Sequence, residues 1–177
     1  AFLVRGINVG GRHKVVMEEF CHELKELGMS NVSSYINSGN FFFDSSLMKV
    51  ELLLVLERFL NKTYPFIKVF SLFTLEDYQN EVASLPKWWE DDFYRKDVLL
   101  YTERLDKNEM RNVIESLELG DEIIHLGQLG IYWGKFDKSS YNQTAYHKKL
   151  LKAPFYPYIT IRNARTFSKI GQFLRMK

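Results

Sequence analysis

The sequence has little of what usually announces chemistry. It contains one cysteine, four histidines and four prolines in 177 residues. A lone cysteine closes no internal disulfide, and a chain of this length buries roughly 70% of the surface its unfolded form exposes, so it needs no covalent staple. Cys21 falls in the series Met17, Phe20, Cys21, Leu24, Leu27, one face of a helix, and reads as a core thiol. His13, His22, His125 and His147 lack metal-ligand spacing, and neither H-E-x-x-H nor C-x-x-C occurs, so no metal is predicted. No G-x-S-x-G supplies a nucleophile. Asp91 and Asp92 are adjacent and would point apart in an extended chain, which excludes them as a carboxylate pair. No motif names a cofactor. The longest apolar run, Leu52 to Leu56, is too short to span a bilayer, and Ala1 to Val4 lack the pattern of a signal peptide. A cytoplasmic protein without integral membrane association is expected, and the single cysteine fits a reducing compartment.

Charge of one sign is missing locally rather than globally. The net charge is +2, yet residues 135–177 hold ten Lys or Arg and one acid, Asp137, which leaves −7 for the remainder. A basic end on an acidic body points to an anionic partner, or to a solvated face with none.

The order of elements follows from hydrophobic period and turn residues. "AFLVR" reads as a strand, and "VVMEEFCHELKELG" as a helix closed by Gly28. "VSSYINSGNFFFD" alternates around a hairpin turn at Gly39. Ser45 and Ser46 offer caps for a helix from Leu47 to Leu60, and "FIKVFSLF" is a strand. A helix follows from Thr74. After the aperiodic, aromatic stretch "SLPKWWEDDFYRK" the order begins again: strand "DVLLYTE", a helix capped by Asp106, a hairpin near "GQLG", a helix from Ser139 to Leu151, strand "YPYITIR" and an amphipathic helix. The fold class predicted is α+β, two ferredoxin-like β-α-β-β-α-β subdomains (residues 1–84 and 97–177) joined by an aromatic linker at 85–96, with an extra C-terminal helix. The linker tryptophans Trp88 and Trp89 are expected to pack between the halves.

Three turns are candidate ligand sites. The opening loop carries Gly6, Gly10 and Gly11 with Arg5, Asn8, Arg12 and Lys14 around them. It matches neither the P-loop nor G-x-G-x-x-G, but a glycine-rich strand-to-helix turn beside cations can hold an anion. "SYINSGN" offers Tyr35, Asn37 and Ser38, residue types a tight turn also requires for itself. In "TIRNARTF", Asn163 reads as the cap of the last helix, while Arg162 and Arg165 stand at the positive end of its dipole, a conflict that an anion or acidic side chains would relieve.

"RGINVGG", "YINSGN", "WW" and "ITIRNARTFSKI", in that order over essentially the whole chain, resemble the bacterial domain-of-unknown-function 1697 family. The family's closing motif, T-x-R-N-W followed by T-x-x-K-L, has Ala164 here in place of its tryptophan and Ile170 in place of its leucine. The resemblance implies two ferredoxin-like subdomains and no established activity.

The leading expectation is therefore a binding protein for a phosphate-bearing ligand or nucleic acid, with the glycine loop and the Arg162–Asn163–Arg165 turn providing contacts. An aromatic sheet face at "FFFD" would support base stacking if exposed. An enzyme with its site in the cleft between the halves is the alternative, and an interaction module, a possible homodimer, is the third. A membrane-surface role for the basic last helix is a further, lesser option.

Overall fold

The computed structural model describes residues 1–176; Lys177, one of the tail cations, lies outside them. The chain forms two four-stranded antiparallel sheets and six α-helices. The first sheet takes β1 (Phe2–Val4), β2 (Ser30–Tyr35), β3 (Asn40–Asp44) and β4 (Phe70–Leu72) in the order β2-β3-β1-β4. With them come α1 (Met17–Glu26), α2 (Lys49–Thr63) and α3 (Leu75–Ser84). The second takes β5 (Arg95–Tyr101), β6 (Glu122–Leu126), β7 (Gly130–Lys135) and β8 (Ile159–Asn163) in the order β6-β7-β5-β8. Its helices are α4 (Lys107–Glu115), α5 (Ala145–Lys148) and α6 (Ala164–Arg175).

Helix starts follow their caps where a side chain can reach the first-turn amides. Thr74 Oγ1 accepts Asp77 N–H at 3.0 Å, and the Asp77 carboxylate accepts Thr74 N–H at 2.9 Å, a reciprocal box that opens α3. Asp106 does the same work for α4, taking the amides of Asn108 and Glu109. Two starts differ from expectation. Ser45 binds only the amide of Leu47, and α2 begins later, where the Glu51 carboxylate accepts Met48 N–H at 3.1 Å. The single helix expected over 139–151 is instead a 3-10 turn at Tyr141–Gln143, the four-residue α5 and a second 3-10 turn at Leu150–Lys152. Thr144 is the break. Its hydroxyl donates back to the Tyr141 carbonyl and accepts His147 N–H, so a new helix starts there rather than continuing the old one.

Strands β1, β3, β5 and β7 carry apolar runs because both of their faces are covered. Alternate residues point to opposite sides of each sheet. Phe2, Val4 and Phe41 face α1 and α2, where Phe20 stacks on Phe41 at 4.1 Å between ring centres and Leu56 and Leu60 close the core. Leu99, Ile131 and Trp133 face α4 and α5 in the same way. The remaining faces, Leu3 and Phe42 of the first sheet and Val98, Leu100 and Tyr132 of the second, meet in one shared core filled by α3 and α6. There Phe173 stacks on Phe42 at 4.9 Å, and Phe167 lies 5.0 Å from Tyr78 and 5.7 Å from Tyr132. Gly171 is the close-approach point of the two helices: a Cβ there would overlap the Tyr78 ring. Each large apolar side chain so buried contributes about 1.5–3 kcal/mol.

Trp88 and Trp89, in a 3-10 turn at Lys87–Glu90, pack against this shared core, with Trp89 edge-on to Tyr132 at 5.0 Å. Glu81 of α3 crosses to the second half, where its carboxylate accepts Gln128 N–H at 2.9 Å while fully buried. Phe41 and Phe42 are buried too, so the "FFFD" strand offers no sheet face for stacking a base. Among the described residues no helix is long and apolar enough to cross a membrane.

Candidate functional site

The three candidate turns meet. β8 belongs to the second sheet, but the Arg162 side chain leaves it and enters the first half. Its Nε donates to Asn40 Oδ1 at 2.5 Å, and its Nη2 faces the carbonyls of Val4, Ser38 and Gly39 at 3.0, 2.9 and 3.1 Å. Its Nη1 donates to Thr160 Oγ1 and to the Ile161 carbonyl, both at 2.9 Å. Every acceptor is neutral, and no acid pairs with this guanidinium among the described residues. Burial alone pushes its pKa down to about 10.

This corrects the role expected for Arg162. All of its donors are used by protein acceptors, so it cannot also hold a ligand anion. It clasps the hairpin turn of one half to a strand of the other. None of the principal cavities is lined by any of the candidate residues.

Asn8 is a second tie. Its Oδ1 accepts Val15 N–H at 2.9 Å, and its Nδ2 donates to the carbonyls of Val15 and Asn37 at 3.1 and 3.0 Å, joining the glycine loop to the hairpin turn. Arg5 reaches the second half: Nη1 donates to the Ile159 carbonyl at 2.6 Å, with the guanidinium 4.4 Å from the centre of the Tyr156 ring. The Tyr35 ring packs on Phe173, and Asn163 Oδ1 accepts Thr166 N–H at 2.8 Å as the cap of α6.

The other candidates stay at the surface. Gly6, Gly10, Gly11, Arg12, Lys14, Asn37, Ser38 and Arg165 are exposed. Gly10 and Gly11 adopt φ of 57° and 74°, a left-handed conformation that side chains resist, and a Cβ at either would meet open space. Asn8, His13 and Ile36 also have positive φ, the last a β-branched residue for which this is strained. Strain of this kind persists only when the surroundings over-determine it, and here Asn8, Arg162 and the stacking of His13 on Phe66 at 4.7 Å do so.

A different polar cluster had no motif to reveal it. Lys135, counted by charge alone among the tail cations, is fully buried. Its Nζ donates to Asp97 Oδ2 at 2.6 Å, the atom that also accepts Arg95 Nε–H at 2.7 Å, and lies 3.4 Å from the centre of the Tyr146 ring. Glu122, beside Lys135 in the register of β6 and β7, accepts Trp133 Nε1–H and the amides of Ala145 and Tyr146. The available signal was alternation: in "DVLLY" Asp97 shares the core-facing side with Leu99, an unusual place for an unpaired charge.

Burial lowers Lys135 from 10.5 to about 8, against the opposing pull of Asp97. Below pH 8 both folded and unfolded chains carry the charge; from there to 10.5 the unfolded chain keeps its proton while the folded one releases it. Stability therefore rises with pH across that window. Chemical denaturation is expected to show a gain of about 1–2 kcal/mol between pH 8 and 9.5, before tyrosines begin to ionise, and no gain in Lys135→Met. A flat or falling profile in the parent chain would contradict the assignment.

Among the described residues no group of three or more His, Cys, Asp or Glu is placed to hold a metal ion. The class this defines is a two-sheet α/β protein whose motif-bearing turns are drawn together by a buried arginine. The chain belongs to the family described as Protein of unknown function (DUF1697), whose model matches residues 1–132. The closing motif around Arg162 lies beyond that match. The chain is also similar to a solved structure, that of the conserved bacterial protein SP0830 from Streptococcus pneumoniae. The two are 58% identical over 98% of this chain and 96% of that one, with a TM-score of 0.96. Among curated proteins nothing matches.

Proposed function

We propose that this chain is a cytoplasmic binding protein that holds a phosphate-bearing ligand on the glycine-rich loop at residues 6–14, beside the turn at 36–38. We read its two halves as ferredoxin-like units, residues 1–84 and 97–177, about the linker at 85–96. Support for that reading comes from the shared order of strands, two central strands flanked by their hairpin and crossover partners. One observation carries the binding proposal. The left-handed Gly10 and Gly11 present amides that find no acceptor among the described residues, next to the exposed cations Arg12 and Lys14, on a loop already fixed in shape by Asn8. Successive backbone amides in such a concave turn favour an anion, and fixing the loop beforehand removes the entropy of ordering it.

Calorimetric titration with pyrophosphate and with adenosine monophosphate at low salt tests this. The parent chain is expected to bind, and Arg12→Ala/Lys14→Ala to bind at least tenfold more weakly, about 1.4 kcal/mol, without loss of fold. Absence of binding at millimolar ligand, or equal binding by the variant, overturns the proposal.

A further inference from the structure

Acidic residues are absent from several stretches, among them 5–14, 30–43 and 138–176. These segments are distant in sequence, yet they are the ones that Asn8, Arg5 and Arg162 tie together. The fold thus brings these three acid-free stretches together. Within 138–176 Arg162 is buried, and Lys148, Lys149, Lys152 and Arg165 are exposed.

The Arg5 contact sets the continuity. Arg5 immediately precedes the glycine loop, and its guanidinium lies over Tyr156, four residues after Lys152. The turn holding Leu150–Lys152 packs against the one holding Tyr156–Tyr158. Cations of the first half and cations of the second are thereby linked across a guanidinium and a phenol ring. Tyr158 adds an aromatic surface that is 41% exposed. Beyond it, the Thr102 hydroxyl donates to the Tyr158 carbonyl, and Glu103 and Glu57 bound this surface on that side.

A single phosphate occupies one turn. It does not use lysines on a different half of the molecule. A chain of phosphates with bases between them does, because each phosphate meets a cation and unstacked bases find aromatic faces. We propose that the ligand of this site is single-stranded nucleic acid, its backbone running from Arg12 and Lys14 past Arg5 and Tyr156 to Lys149 and Lys152. The proposal rests on the phosphate site described above.

Fluorescence anisotropy with a labelled 20-nucleotide single strand, beside adenosine monophosphate and a 20-base-pair duplex, tests it. The single strand is expected to bind at least tenfold more tightly than the mononucleotide, with affinity falling steeply between 50 and 200 mM salt. Lys149→Ala/Lys152→Ala, both exposed positions, is expected to weaken strand binding about tenfold and to flatten the salt slope by about 1.4, two contacts at 0.7 each, while leaving mononucleotide binding unchanged. Arg12→Ala/Lys14→Ala weakens both ligands. A strand that binds no better than the mononucleotide, a duplex that binds equally well, or a strand affinity insensitive to Lys149 and Lys152 overturns this inference and leaves the phosphate site standing. Failure of every probe removes both.

Discussion

Arg162→Ala is expected to destabilise the fold by on the order of 3–5 kcal/mol. The substitution removes the donors to the Val4 and Gly39 carbonyls and Asn40 Oδ1, which are enclosed between the two halves, and to the carbonyl of Ser38 at their edge. Water cannot replace a guanidinium there without opening the interface. Arg162→Lys is expected to recover little, since one ammonium does not reproduce a planar fork reaching both its own strand and the facing turn. Urea denaturation would show the loss as a lower midpoint. Amide exchange would place it first at the 36–40 turn, whose Gly39 carbonyl also accepts Val4 N–H. A midpoint within 1 kcal/mol of the parent would mean that the clasp is dispensable.

Asp97→Ala is expected to do comparable damage, about 3–5 kcal/mol, by a different route. It leaves the fully enclosed Lys135 without an anion, so the ammonium must either stay unpaired or give up its proton, and it strips Arg95 of its carboxylate partner. The informative variant is the double one. Asp97→Ala/Lys135→Met removes both charges and keeps the volume of the lysine stem, so it should be more stable than Asp97→Ala alone. If the double variant is instead as unstable as the two single losses added together, the pair is not acting as a pair, and packing around Tyr146 accounts for the cost.

Local rules made most of the elements legible. Thr74, Asp106 and Asn163 fixed three helix starts in the sequence because a cap needs only a side chain and the next turn's amides. The region 139–151 was only partly legible: Thr144 is a local cap, but the first amides of α5 are taken by Glu122, a residue some twenty positions earlier on β6. The same distinction governs the candidate site. The glycines and exposed cations of the first loop could be found from spacing. That Arg162 turns inward could not, since the carbonyls it reaches in the first half lie more than 120 residues away and carry no side-chain signature. Net charge misled in the same manner: it counted Lys135 and Arg162 as surface cations when both are in the interior.

The position of α6 has a consequence for biosynthesis. This helix comes after every strand in the chain, yet Phe173 and Leu174 cover Leu3 and Phe42 at its beginning. As the polypeptide leaves the ribosome, the first sheet can gather α1 and α2 on one side early. Its other side, shared with α3 and the second sheet, stays incompletely covered until residues 164–175 have been translated. A ribosome that stalls before them releases a product with an open greasy face, the kind of surface that chaperones and proteases sense. Translation through α6 is thus the step that converts the nascent first half into a finished one.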